Sequence, residues 1–361
     1  MRILLVSGSY PPMKCGVGDY TKMLAIHLSR IPGNTISVLT SEAATDKCNS
    51  EVEAIAVSSV SGWQLTNSMQ LYRQIRALAP DVVHVQYPTQ GYSSNWLPSL
   101  MPLLAWIQGT LVVQTWHEGC SIRKVIDLFL QGLVPGGLIV VRPGYLSKIP
   151  KVLRWAVWNK EFRHIPNASS IPSVQLNSIR REEIRSKYLC GQVRLIVFFG
   201  FLLPHKRAAL LFDIADPARD HIVFVGESID PAVTSEIEGR QNESRWTGRS
   251  TLVGFMESQE IAELLASADA VVLPFRDGGG EWNSSIHAAV AQGTFVLSTS
   301  RTETGYDPTR NVYLAEVENV DEMKVALTSY AGTRRNTAMD PDEWISIADR
   351  HQAFYESLSA A

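Results

Sequence analysis

Short runs of β-branched and leucine side chains recur along the chain, separated by stretches whose apolar positions fall three and four residues apart. Residues 2–7, 35–39, 82–86 and 111–115 are such runs and predict strands, with helices predicted over 20–29 and 71–79 between them. Strands that alternate with helices need crossover connections, so the sheet they form is parallel. The pattern restarts at 194–199 and continues through 222–226, 251–253, 270–273 and 294–299, which gives two doubly wound α/β domains, residues 1–168 and 191–340. Between them, residues 169–190 are polar and carry Pro172, as suits a linker. Trp344, Ile347, Ala348, His351, Phe354 and Leu358 stand near helical spacing, so segment 341–361 is expected to be a C-terminal helix packing back toward the first domain.

A length of 361 residues fits two domains of about 150 residues each. Apolar content of 45% and charge content of 19% are ordinary for a chain with a full core, and argue against disorder. Cys15, Cys48, Cys120 and Cys190 are scattered without a CxxC pair, so neither a zinc site nor a disulfide framework is expected, and a reducing cytoplasm fits. The opening apolar run, residues 1–7, is too short for a signal peptide, and no run approaches the roughly 18 apolar residues of a spanning helix.

The net charge of −3 hides an asymmetry, +6 over residues 1–170 and −9 over the rest. Much of the positive excess lies in 142–163, where Arg142, Lys148, Lys151, Arg154, Lys160 and Arg163 interleave with Trp155 and Trp158. Such a segment can rest on the inner face of an anionic membrane or hold an acidic, lipid-linked acceptor. A solvated face with the two tryptophans turned inward is the other reading of the same residues.

Three loops carry candidate chemistry, each at the carboxyl end of a predicted strand, where open α/β sheets bind ligands. Residues 274–293, PFRDGGGEWNSSIHAAVAQG, read as a strand end, a glycine-rich loop and a helix start. Asn283, Ser284 and Ser285 would there offer N–H groups and hydroxyls to a diphosphate at the positive end of a helix. In GSYPPMKCGVGDYT, Gly16 and Gly18 would let backbone N–H groups approach an anion before a helix beginning near Asp19. In FGFLLPHKR, Gly200 turns the chain and Lys206 offers a point charge for phosphate. Glycines kept only for the turns remain an open alternative for these loops. Neither GxGxxG followed by an acid nor a GKS/GKT P-loop is present.

Taken in order, GVGDYT, HVQYPTQGY, QTWHEG, IPNASSIP, FGFLLPHKR, LVGFMESQEIAELLASADAVVLPFRDG and SSIHAAVAQGTFVLST resemble the GT-B glycosyltransferases, in particular the retaining GT4 family, over nearly the whole chain. The resemblance implies two Rossmann-like domains facing a cleft, with a nucleoside diphosphate sugar held mainly by the second and the acceptor by the first. Carried over, Gly16, Val17 and Gly18 match a loop that meets the donor phosphates, and Lys206 beside Gly200 matches the diphosphate lysine. Val253, Phe255 and Met256 match the base-binding turn, and Glu281, Trp282, Asn283, Ser284 and Ser285 the loop around sugar and phosphates. His117 matches the active-site histidine; with His84, Gln86, Tyr87 and Glu118 it makes the expected acceptor side. His117, Lys206 and Glu281 are the expected catalytic residues.

Two family positions depart. The phosphate-binding arginine is replaced by Phe201, with Leu203 at its alternative place, and the second glutamate of the paired motif falls on Ala288 or Ala289. The resemblance implies a metal-independent, retaining glycosyltransferase without a cofactor, its acceptor a glycan, a lipid-linked molecule or a small hydroxyl compound in polysaccharide assembly. No nucleic acid partner is expected. A sugar-nucleotide epimerase of the same fold and a non-catalytic binding subunit are the competing readings.

Overall fold

A computed structural model describes residues 1–45, 55–120, 124–228, 230–337 and 342–360, which leaves Cys48 outside the described residues. The chain divides into two compact units, residues 1–167 with 341–361, and residues 168–340.

The first unit holds seven strands, β1 (Arg2–Val6), β2 (Thr35–Ser41), β3 (Ile55–Val60), β4 (Val82–Tyr87), β5 (Leu111–Trp116), β6 (Gly136–Val140) and β7 (Lys160–His164). All pair in parallel in the order β3-β2-β1-β4-β5-β6-β7. β1 and β4 are buried nearly end to end because helices cover both faces of the sheet, which is why they read as unbroken apolar runs. The edge strands are different. β7, KEFRH, keeps only its first residue buried, and β3 is buried only at its two ends. Neither shows the apolar run that marks a central strand.

The second unit repeats the design with β8 (Arg194–Phe199), β9 (Asp220–Val225), β10 (Ser250–Gly254), β11 (Ala270–Leu273), β12 (Val296–Ser300), β13 (Gly305–Asp307) and β14 (Val312–Glu316). Their order is β10-β9-β8-β11-β12-β14-β13, parallel except for the short terminal hairpin of β13 on β14. Phe198, Phe212, Phe224, Trp246 and Phe295 are the largest fully buried side chains of its core.

The expected linker 169–190 is instead part of the second unit. Asn177 caps a helix, Ser178–Ser186, whose Ile184 is buried and whose Arg180 and Arg185 reach Glu263 and Asp269, both at 2.7 Å. Val174 and Leu176 pack on the same core, so the segment has too much apolar contact to hang free. The last helix, Glu343–Ser359, belongs to the first unit and packs on the helix Gly16–Ser29, with the Tyr20 hydroxyl 3.2 Å from His351 Nε2.

Segment 142–163 folds into the short helices Tyr145–Lys148 and Lys151–Ala156 followed by β7. Trp155 and Trp158 are not turned inward; they are 61% and 76% exposed.

Candidate functional site

In the second unit the chain reverses its direction of travel across the sheet between β8 and β11, and the loops leaving these two strands splay apart there. After β8, Gly200 takes φ +128°, a conformation that L side chains rarely adopt, and a tight turn at Pro204–Lys206 brings Lys206 back over it. A methyl group at Gly200 would stand 2.9 Å from Lys206 Nζ and 3.3 Å from Ser285 Oγ. The ammonium and the hydroxyl therefore meet above bare backbone. Ser285 arrives from the loop after β11, on the first turn of the helix Ser284–Ala291, whose first N–H groups have no intrahelical acceptor. No carboxylate among the described residues faces Lys206, and burial alone pulls its pKa down to about 8. A partly buried cation without a counter-charge is costly to keep, so this corner favours an anion.

The rest of the 274–293 loop is tied to that helix start. Gly280 N–H donates to Asn283 Oδ1 at 3.0 Å, and His287 Nε2 donates to the Glu281 carbonyl at 3.0 Å. The Trp282 ring lies against Gly280, where a methyl group would stand 2.3 Å from it. The Glu281 side chain is exposed and Trp282 and Asn283 are half-buried. Along the same sheet edge, Gly226 N–H donates to Gly254 O at 2.8 Å, which ties the turn after β10 to the loop after β9. There Val253 and Met256 pack on the core while Phe255 is exposed.

In the first unit, His117 follows β5 and Gln86 is the penultimate residue of β4. His117 Nε2 lies 2.8 Å from Gln86 Oε1, and the Tyr20 ring meets the imidazole edge-on with centroids 4.8 Å apart. Burial, with a smaller contribution from His351, pushes the pKa of His117 down to about 3, so the ring is neutral at working pH. Tyr87 donates its hydroxyl to Asp127 at 3.1 Å, and Glu118 is exposed and paired with Lys124.

Two expectations need correction here. His84 does not face an acceptor: it is wholly buried, with Nδ1 2.7 Å from the Tyr355 hydroxyl and Nε2 2.7 Å from Thr115 Oγ1, so both ring nitrogens are spent inside the core. The helix expected near Asp19 begins at Gly16, with Cys15 extended at its cap. Gly16, Val17 and Gly18 are thus its first turn. Gly16 has open space where a side chain would go, whereas Gly18 is needed for packing, since a methyl group there would stand 3.1 Å from the Ser9 backbone.

Residues 193–331 match the family described as Glycosyl transferases group 1, and no curated protein matches the chain. Among solved structures, HepE from Anabaena in complex with UDP aligns over 100% of both chains with a TM-score of 0.71 at 15% identity. Sucrose-phosphate synthase from Thermosynechococcus elongatus aligns over 100% of this chain and 99% of its own with a TM-score of 0.73 at 17% identity. The catalytic domain of starch synthase IV from Arabidopsis thaliana, bound to ADP and acarbose, covers 100% of both chains with a TM-score of 0.71 at 11% identity. The chain has the GT-B fold. Its two units are the two Rossmann-like domains of that fold, and the second carries the group 1 glycosyltransferase match.

Against the GT-B pattern, Ala288 and Ala289 are both fully buried in the second core, so the helix Ser284–Ala291 presents no carboxylate where the paired motif would put one. Phe201, in the arginine's place, is half-buried. Two residues that matter to the geometry were not anticipated from the sequence. Tyr20 contacts His117 from a helix nearly a hundred residues away in sequence, and no local signal marks it. His287 was legible: one turn into a helix after a glycine loop, its ring is well placed to close that loop.

Proposed function

We propose that this GT-B protein transfers a sugar, with retention and without a metal ion, from a nucleoside diphosphate to a hydroxyl acceptor. The observation that carries the reading is the convergence of the Lys206 ammonium, Ser285 Oγ and the start of the helix Ser284–Ala291 over Gly200. Three kinds of group there favour negative charge, and a diphosphate leaving group develops such charge as the glycosidic bond breaks. Lys206 would take the departing charge and Ser285 would donate to a phosphate oxygen. Trp282 and the Glu281 loop would border the sugar, and exposed Phe255 would stack on the base. Proton removal from the acceptor would fall to the phosphate itself, since His117 is neutral and held by Gln86. The UDP and ADP complexes among the structural neighbours support a nucleotide donor.

Calorimetry against UDP, GDP, ADP and TDP tests the reading; binding to none of them sinks it, and Lys206→Ala should abolish whatever binding is found. Turnover that survives chelation, with NMR of the product anomer, tests the remaining two claims.

The protein would work in the cytoplasm at an anionic membrane surface, as a peripheral protein in polysaccharide assembly. Exposed Trp155 and Trp158 stand beside exposed Lys148, Lys151 and Arg154, and the neighbouring helices Leu97–Trp106 and Val125–Gly132 expose Leu103, Trp106 and Ile126. Apolar anchors ringed by positive charge are what an anionic interface takes up. No helix among the described residues is long and apolar enough to cross a membrane. Vesicles with anionic lipid should sediment the protein, vesicles of neutral lipid should not, and Trp155→Ala with Trp158→Ala should release it.

A further inference from the structure

We propose that Gln86 is a positioning residue that fixes His117 in the Nε2–H tautomer, so that Nδ1 faces the substrate as a hydrogen-bond acceptor. Gln86 is fully buried, and Oε1 is the only atom of its amide with a partner: the Nε2 amide group, equally buried, has none. A buried amide with half its capacity unused is worse for stability than a hydrocarbon of the same shape. Its oxygen does what a hydrocarbon could not. By accepting from His117 Nε2–H at 2.8 Å it makes the other ring nitrogen the lone-pair side. His117 Nδ1 has no hydrogen bond among the described residues, and the ring is incompletely buried, so that lone pair is open to a ligand.

The surrounding histidines cannot take over this role. His351 donates Nδ1–H to Ile347 O at 2.7 Å, which leaves its Nε2 to accept from the Tyr20 hydroxyl at 3.2 Å. His84 is spent on Tyr355 and Thr115. Tyr20 in turn holds the flank of the His117 ring. The chemical consequence is definite: His117 accepts a proton-bearing group, a sugar hydroxyl, and neither donates to phosphate nor protonates a leaving group.

The test reads tautomers directly, by long-range nitrogen–carbon-proton NMR of the ring, with His117→Gln to assign the signal. The expected result is one Nε2–H species in the native protein and a mixed species in Gln86→Met. In Gln86→Glu, the introduced carboxylate should hold His117 as an imidazolium above pH 6.5. An Nδ1–H ring in the native protein, or an unchanged ring in Gln86→Met, overturns the assignment. Should Gln86→Met fail to fold, a ring that stays neutral at pH 6 in Gln86→Glu overturns it equally. The tautomer assignment stands on geometry alone; the substrate-facing role of Nδ1, and the kinetic arm in which Gln86→Met lowers kcat at least tenfold and leaves donor KM within a factor of two, rest on the glycosyl-transfer reading. Loss of transfer activity in the native protein would refute that reading while the tautomer result stood.

Discussion

Lys206 offers the sharpest test, because the same ammonium should destabilise the free protein and drive ligand binding. Burial moves its pKa from 10.5 to about 8. A group whose folded pKa is depressed holds fewer protons when folded, so between pH 8 and 10.5 the unfolded chain is favoured by each proton it keeps. The cost is complete below pH 8 and disappears above 10.5. A shift of that size corresponds to roughly 3 kcal/mol, so Lys206→Met should raise the Tm of the free protein at pH 7 by several degrees. The opposite holds for the ligand. At pH 7 the ammonium is charged and ready, whereas at pH 9 only about a tenth of it is, so nucleoside diphosphate affinity should fall about tenfold between the two, with proton uptake on binding. Calorimetry in buffers of different ionisation enthalpy measures both quantities. A flat affinity profile in the native protein, or a Lys206→Met variant that is less stable and keeps its affinity, would refute the argument.

Other consequences are more local. Ser285→Ala removes one hydroxyl from the phosphate corner and should weaken diphosphate binding by roughly 1.5 kcal/mol, about tenfold, with Tm unchanged. Gly200→Ala puts a methyl group 2.9 Å from Lys206 Nζ at a φ of +128°, so it should lose most binding and cost about 1–3 kcal/mol of stability, read by titration and urea unfolding. The buried histidines should make the first unit acid-labile. His117 and His351 have pKa values lowered to about 3 and 4, and burial holds His84 well below 6.5 too, so below pH 6.5 the unfolded chain takes up protons that the folded one refuses. Stability should drop about 1.4 kcal/mol per pH unit for each histidine until the folded pKa is reached, and urea midpoints that do not move between pH 7.5 and 5 would contradict this.

Most central strands were legible because a parallel sheet covered on both faces leaves an apolar run, as in β8 and β11, whereas β6 and β14 were not expected although they too lie inside their sheets. The edges of the first sheet were not, since β7 and β3 have solvent on one side and carry Lys160, Glu161, Ser58 and Ser59. The 169–190 segment looked like a linker because it is polar and carries Pro172, yet its Arg180 and Arg185 pair with Glu263 and Asp269 of the second unit, which composition does not display. In the candidate site, loop positions were readable from glycine and serine, whereas buried partners were not. His84 within β4 and His117 just after neighbouring β5 carry the same chemistry, and only the surroundings separate a ring with both nitrogens spent from one with a nitrogen to spare. Trp155 and Trp158 had two readings, and their exposure removes the one that turned them inward.

The buried alanines at 288 and 289 carry a consequence for donor choice. Both side chains lie in the second core, beside Phe295 and Ile286, so a carboxylate there would be buried without a partner rather than offered to a ribose. On the proposed function, nucleotide recognition would then rest on phosphate, through Lys206 and Ser285, and on the base, through exposed Phe255 and the main chain at Gly254. Stacking and phosphate contacts do not read the ribose hydroxyls. A 2′-deoxy nucleoside diphosphate should therefore bind within a factor of three of its ribose counterpart, whereas a lost hydrogen bond to a carboxylate would cost about 1.5–3 kcal/mol, tenfold or more. Competition between the two nucleotides in one titration gives the ratio. A tenfold preference for ribose would mean that another acidic group, outside the helix Ser284–Ala291, grips the sugar of the nucleotide.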